Sequence, residues 1–204
     1  YSHVTFVDVD DYLSPRYIQS NFDYIDENTI TISQIHDDLN GEIDEQNSLN
    51  REVIENSGIR TTPLMNVQKI ASITVCKVIP KELIILQEFR DYLRSGEDTV
   101  FYCEFFVNTR PKLTVIPLED EAIYFRRRGN DPINNPTLRQ SSLEQLTPDL
   151  FGVYNQLRSD NMSEEGRKYL DDKLLNFYRN RLVTEFRDDT TIDYYFSAVC
   201  YTHL

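Results

Sequence analysis

The sequence predicts an α+β (mixed α/β) fold: a central mixed sheet, a strand–helix–strand unit at 70–108, and a helical segment at 141–187 returning to a C-terminal strand. Three observations predict it. Runs rich in β-branched and aromatic residues recur along the chain, from residues 3–9 to 192–204. Between two such runs, Pro80 is followed by Leu83, Leu86, Phe89 and Leu93 at helical spacing. Residues 163–187 then carry the longest amphipathic stripe, through Leu170, Leu174, Phe177, Tyr178, Leu182 and Phe186.

In chain order, residues 3–9 (HVTFVDV) read as a short strand, and Ser14-Pro15 precedes a short helix. Residues 29–35 (TITISQI) alternate apolar and polar, which predicts a half-buried strand, with a helix as the alternative. Residues 43–56 place Leu49, Val53 and Ile54 on one helical face, and Ser57-Gly58 offers a left-handed stop. Residues 70–79 and 99–107 are the two strands of the central unit. The second has Phe101, Cys103, Phe105 and Val107 on one face and Tyr102, Glu104 and Phe106 on the other, as a central strand would. A parallel crossover is expected, with an antiparallel return as the alternative. Residues 113–118 and 122–127 flank Glu119-Asp120-Glu121 with the spacing of a hairpin. The loop 129–136 (GNDPINNP) is a sub-boundary within what otherwise reads as a single domain, 1–204. Helix starts follow at Ser141 and Thr147. The expected core joins Val75, Phe105 and Phe196 on strands to Leu86 and Phe177 on helices.

Apolar residues make up 40% of the chain and aromatic ones 12%, enough for an ordinary core. No apolar run approaches the ~20 residues a membrane helix needs, so a soluble chain is expected. The opening residue, Tyr1, reads as the start of a fragment or processed form. Cys76, Cys103 and Cys200 lie within apolar runs without a C-x-x-C pair. They are expected as unpaired core residues in a reducing compartment, the cytoplasm or a virion. Net charge is −13 and unevenly spread: the first 65 residues hold thirteen Asp and Glu against three Arg and no Lys. That field repels phosphate backbones and anionic membranes. The expected partner is a basic protein or a second copy of the chain, not a nucleic acid or a membrane.

Asp8-Val9-Asp10-Asp11 follows an apolar run, VTFV. Carboxylates spaced i, i+2 at a strand end can hold Mg²⁺ while one attacks a phosphoryl group. The segment resembles the first motif of haloacid dehalogenase-type phosphatases. The resemblance implies Asp8 as nucleophile and Asp10 as acid/base. Residues 36–47 (HDDLNGEIDEQN) partly resemble an EF-hand loop aligned on Gly41, but His36 and Asn47 stand where the anchoring carboxylates belong. No nucleophile elbow or glycine-rich phosphate cradle occurs. Cys200 and His203, three apart in an expected strand, face opposite ways.

Arg126, Arg127 and Arg128 form the one dense basic patch. They are the expected interaction residues, meeting the acidic N-terminal third within one molecule or head to tail between copies. The order of segments over residues 12–93, with YL, ITISQIHDDLNGEIDE and NVQKIASITVCKVI, is similar to tailed-phage head–tail connector subunits. That similarity implies a structural or assembly subunit. The sequence thus leans to a non-enzymatic assembly or protein-interaction role and assigns no catalytic residue, metal or cofactor. The alternatives are an accessory protein for a basic partner and a Mg²⁺-dependent phosphatase-like hydrolase using Asp8 and Asp10.

Overall fold

A computed structural model describes residues 1–89, 97–128, 154–157 and 162–176. Along the chain its strands are β1 (His3–Val4), β2 (Tyr12–Leu13), β3 (Thr29–Ile32), β4 (Gln34–Leu39), β5 (Glu42–Asp44), β6 (Lys77–Pro80), β7 (Lys112–Val115) and β8 (Ile123–Arg127). The helices are α1 (Tyr17–Phe22), α2 (Ser48–Glu55), α3 (Gln68–Ala71), α4 (Lys81–Ile84), α5 (Glu97–Thr109) and α6 (Glu164–Leu170), the last running on through a π turn at Asp171–Leu175. This is an α+β fold with two mixed sheets, ordered β1-β6-β3-β7 and β2-β8-β4-β5.

A single seam organises both sheets. β3 and β4 are one run of chain interrupted at Ser33. β3 pairs with β7 in parallel, Thr29 opposite Lys112 through Ile32 opposite Val115. β4 pairs with β8 in parallel, Gln34 opposite Ile123 through Asp38 opposite Arg127. At the break the backbone stays bonded: Ser33 N–H donates to Cys76 O (3.0 Å), Ile116 N–H to Ile32 O (2.9 Å) and Gln34 N–H to Ala122 O (3.0 Å). Side chains close the junction. Thr31 Oγ1 donates to Asn21 Oδ1 (2.5 Å), and Asn21 Nδ2 donates to Ser33 Oγ (2.9 Å). The alternation of residues 29–35 therefore does not mark a solvent face. All seven residues are buried, and α1 supplies the partner that makes burying the hydroxyls affordable.

Residues 99–107 form a helix, not the expected strand. α5 spans 13 residues and buries Val100, Phe101, Tyr102, Cys103, Phe105 and Phe106 all round its axis. An apolar run buried on every side carries no period, so aromatic content misleads. The acidic pair Glu97-Asp98 in its first turn suits the positive end of the helix dipole. Residues 70–79 split likewise: α3 ends at Ala71, and β6 begins only at Lys77. β6 and α5–β7 flank β3 from opposite sides, so no direct parallel crossover joins them. The expected hairpin at 113–127 is absent because β7 and β8 belong to different sheets, with a 3-10 turn at Leu118–Asp120 between them.

Within residues 36–47 the chain forms a hairpin, β4 to β5, that ends at Asp44, and not a calcium loop. β4 and β5 turn at Asn40-Gly41, both at positive φ (58° and 97°), the sequence pair that such turns favour. Asp38 accepts Gly41 N–H at 2.6 Å, and Asn47 caps α2 by accepting the N–H groups of Leu49 and Asn50. The helix after Pro15, the left-handed Gly58 (φ 75°) behind α2 and the proline at the head of α4 occur as expected, but the helix expected to continue through Leu86 and Phe89 ends at Ile84. Val75 and Phe105 are in the core, but Leu86 lies beyond the end of α4 and is 90% exposed. Cys76 and Cys103 are unpaired and buried; Cys200, Phe177 and Phe196, the helix starts at 141–149 and the loop 129–136 lie outside the described residues. Among the described residues no helix is long and apolar enough to cross a membrane.

Two outcomes are expected. Phe105 is fully buried among Phe101, Tyr102 and Phe106, so Phe105→Ala should cost about 3–5 kcal/mol in denaturant unfolding. Burial also pushes the Cys76 and Cys103 thiols up to about 12. Groups raised on folding lose their contribution as pH climbs above the unfolded value of 9.0 toward 12. Lys77, lowered to about 8 by burial, works the other way until the unfolded value of 10.5. Two thiols outweigh one amine, so stability should fall above pH 9, and Cys103→Ala should flatten that fall by about one proton in a series of urea midpoints against pH.

Candidate functional site

The segment after β1 is a turn. Asp11 N–H donates to Asp8 O (3.1 Å), and Val9 at its tip is fully exposed. β8 fixes this turn from below. The Tyr124 ring is buried, and its hydroxyl donates to Asp11 Oδ2 (2.7 Å) while accepting Asp8 N–H (3.0 Å). Arg127 N–H donates to Asp11 Oδ1 (2.8 Å). Both oxygens of Asp11 are thereby used in holding the loop. The carboxylates of Asp8 and Asp10 accept no hydrogen bond from the described residues, and they are the ones the turn leaves exposed.

A second carboxylate reaches this region from far along the chain. Asp98, in the first turn of α5, accepts Thr74 Oγ1 at 2.5 Å. The surrounding protein bulk first, and then the charges of Asp11, Asp98 and Asp10, push the Asp8 carboxyl above its ordinary range; Arg126 acts in the opposite sense. Residues 90 positions apart thus share one negative field. Arg126 itself is committed to Asp37, with Nε at 2.7 Å and Nη2 at 3.1 Å from its two oxygens. Arg128 approaches the same carboxylate at 3.6 Å, and Arg127 lies 5.3 Å over the Tyr12 ring. The arginine triplet therefore meets the acidic N-terminal third within the molecule.

Solved structures place this fold. No family model matches the sequence, and no curated protein matches it. The fold is shared with TarS of S. aureus. Against the crystal structure of TarS 1-349 the TM-score is 0.66 at 17% identity, covering 97% of this chain and 54% of that one. Against TarS 1-349 in complex with UDP-GlcNAc it is 0.60 at 21% identity, covering 92% and 50%. Against the complex with UDP it is 0.57 at 20% identity, covering 92% and 49%. This chain spans about half the length of those TarS chains.

That likeness corrects the functional expectation. The fold is one solved with a nucleotide sugar bound, not that of a head–tail connector or virion subunit, and the assembly reading falls with it. So does the accessory-protein reading. The phosphatase reading fails on geometry as well: β1 stops at Val4, so Asp8 sits on a turn and not at a strand's end.

Sequence reasoning found the run Asp8-Val9-Asp10-Asp11, giving roles to Asp8 and Asp10 and none to Asp11, and missed Asp98, Thr74 and Tyr124. Glu97-Asp98 was visible as an acidic pair, yet it signals a helix start only once residues 99–107 are known to be helical. Tyr124 carries no local signal, since it reaches the Asp8–Asp11 turn only through the antiparallel pairing of β2 with β8, which sets Leu13 opposite Tyr124.

Tyr124→Phe removes the one hydroxyl that serves both ends of that turn. A loss of about 1–3 kcal/mol in urea unfolding is expected, because Asp11 and the Asp8 amide each lose a partner. An unchanged midpoint would show that water replaces the hydroxyl at no cost.

Proposed function

We propose that this chain is part of a glycosyltransferase that uses a UDP-linked sugar as donor. The observation that carries the reading is its fold, shared over 92–97% of the chain with TarS structures, including those in complex with UDP-GlcNAc and with UDP. Those two ligands are the two sides of a transfer, before and after the sugar departs. In that chemistry an acceptor hydroxyl oxygen bonds to the anomeric carbon. The bond from that carbon to the diphosphate oxygen breaks, its electron pair stays with UDP, and the hydroxyl proton goes to a base.

Three carboxylates suit those roles. Asp98 is the proposed base, its carboxylate oriented by the Thr74 hydroxyl. Asp8 and Asp10 are the proposed holders of a divalent cation, which supplies charge neutralisation at the departing diphosphate. Their fit to a cation rests on geometry: two exposed carboxylates that accept no hydrogen bond from the described residues, on a turn whose backbone is held by Tyr124 and by Asp11. Among the described residues no three His, Cys, Asp or Glu side chains form a metal cage. Mg²⁺ needs none, because it binds through one or two carboxylates together with substrate phosphates.

The test measures UDP binding to the chain by thermal shift with and without Mg²⁺ or Mn²⁺, and UDP release from UDP-GlcNAc. UDP should raise the melting temperature only with the cation, and Asp10→Asn should remove that shift. Asp98→Asn should keep the shift and lower turnover by about 10²–10⁴-fold. Because the Asp8 carboxyl titrates above its ordinary range, cation-dependent binding should weaken on acidification earlier than an ordinary carboxylate would allow. Cation-independent binding, or full turnover in Asp98→Asn, would overturn the assignment.

A further inference from the structure

Lys77 has none of its surface exposed, and among the described residues no carboxylate forms an ion pair with it. Its ammonium donates instead to three backbone carbonyls of the preceding bend: Ile70 O at 3.0 Å, Val75 O at 3.2 Å and Ile73 O. It also stands 4.6 Å over the Tyr102 ring. Burying a lone ammonium is costly, and a methionine would fill the same space without that cost. The three carbonyls explain the charge. Between the end of α3 and the start of β6 the chain doubles over itself. Lys77 supplies the donors that no neighbouring strand provides there.

The bend so gathered carries Thr74. Its hydroxyl donates to Asp98 at 2.5 Å, and its carbonyl accepts the Tyr102 hydroxyl at 3.3 Å. The bend closes at Cys76, a non-glycine residue held at φ 54°, a conformation that persists only when its surroundings enforce it. The same short segment is thus held from inside by Lys77 and Tyr102 and presents one hydroxyl to the proposed base.

We infer that Lys77 is a positioning residue for sugar transfer: its ammonium folds residues 70–75 into the shape that sets Thr74 against Asp98. This rests on the reading of Asp98 as the base. Lys77 is fully buried and reaches no substrate; it acts by holding the bend, and its charge also lies within electrostatic reach of Asp98.

The test compares Lys77→Met, Thr74→Val, the double variant and Tyr102→Phe in the chain. It reads steady-state UDP release from UDP-GlcNAc and amide hydrogen exchange across residues 70–76. Lys77→Met and Thr74→Val should each lower kcat about 10- to 100-fold, the scale of a misplaced catalytic group, and leave KM for UDP-GlcNAc within about twofold. The double variant should be no slower than the slower single variant, because both act on one contact. Lys77→Met should also speed exchange in the bend. Should Lys77→Met not fold, Tyr102→Phe keeps the test alive, since it releases the Thr74 carbonyl without removing a buried charge. Its kcat should fall in the same direction and not add to Thr74→Val. Additive losses, a rise in KM with kcat kept, or a bend that exchanges as in the wild type would overturn the positioning role. A wild-type chain that turns over no UDP-sugar would instead overturn the transferase reading, and the role of Lys77 in it. Wild-type turnover matched by Lys77→Met would sink the role alone.

Discussion

Because residues 29–39 and 112–127 pair in parallel, no short turn can join them; a parallel pair needs a crossover of a dozen residues or more. Here the crossover is the whole stretch from β5 to α5. It contains the capped helix α2, the bend at 72–76 and the buried helix that carries Asp98. The interruption at Ser33 sets the other half of the geometry. It divides one seam between two sheets, so that β8 emerges beneath the N-terminal turn while β6 brings the bend alongside. Elements distant in sequence converge because the seam leaves them no other route.

Satisfaction of buried polar groups decides how that convergence is fixed. Asn21 answers Thr31 and Ser33, Tyr124 answers Asp11 and the Asp8 amide, and Lys77 answers three carbonyls. Each is a single side chain bridging segments that backbone ladders do not connect. Unmade hydrogen bonds in such places cost more than made ones gain. These bridges therefore fix orientation more than they add stability. The aromatic helix α5 contributes the opposite kind of term. Its rings pack edge-on and offset against one another and against Tyr169, and they supply apolar burial without specifying direction.

The legible parts of the fold were those written in local chemistry. Pro15 and Pro80 announced α1 and α4, Gly58 announced the end of α2, and the fold class followed from the mixture of periods. The Asn40-Gly41 pair was equally legible as a turn, but residues 36–47 were read as a polar loop and the strands on either side of the pair were not seen. α5 was not legible by period, since a helix buried on all sides shows neither a stripe nor an alternation. The seam was not legible at all: residues 113–118 and 122–127 look like a hairpin until their parallel partners are known. At the site, Asp8 and Asp10 stood out because two carboxylates two residues apart are conspicuous. Asp98 and Thr74 did not, because their relation exists only through the bend that Lys77 shapes.

Charge gives the last step. Asp37 is paired bidentately with Arg126, with Arg128 behind it, and Asp11 spends both oxygens on Tyr124 and Arg127 N–H. Those two carboxylates are structural, and of the arginine triplet Arg126 and Arg128 turn toward Asp37 while Arg127 lies over the Tyr12 ring. Asp8 and Asp10 remain, exposed at the tip of a turn whose backbone is nevertheless held rigid by a buried tyrosine. A fixed backbone carrying carboxylates that have no partner among the described residues is costly: burial first, and then the neighbouring Asp11, Asp98 and Asp10 charges, raise the Asp8 carboxyl. A mobile tip would relax that repulsion; this one is held against it. Under the proposed function Asp8 and Asp10 would hold a divalent cation, which would supply positive charge for the diphosphate. The same repulsion then favours binding only when cation and nucleotide come together, which ties the charge of the N-terminal turn to the presence of the donor.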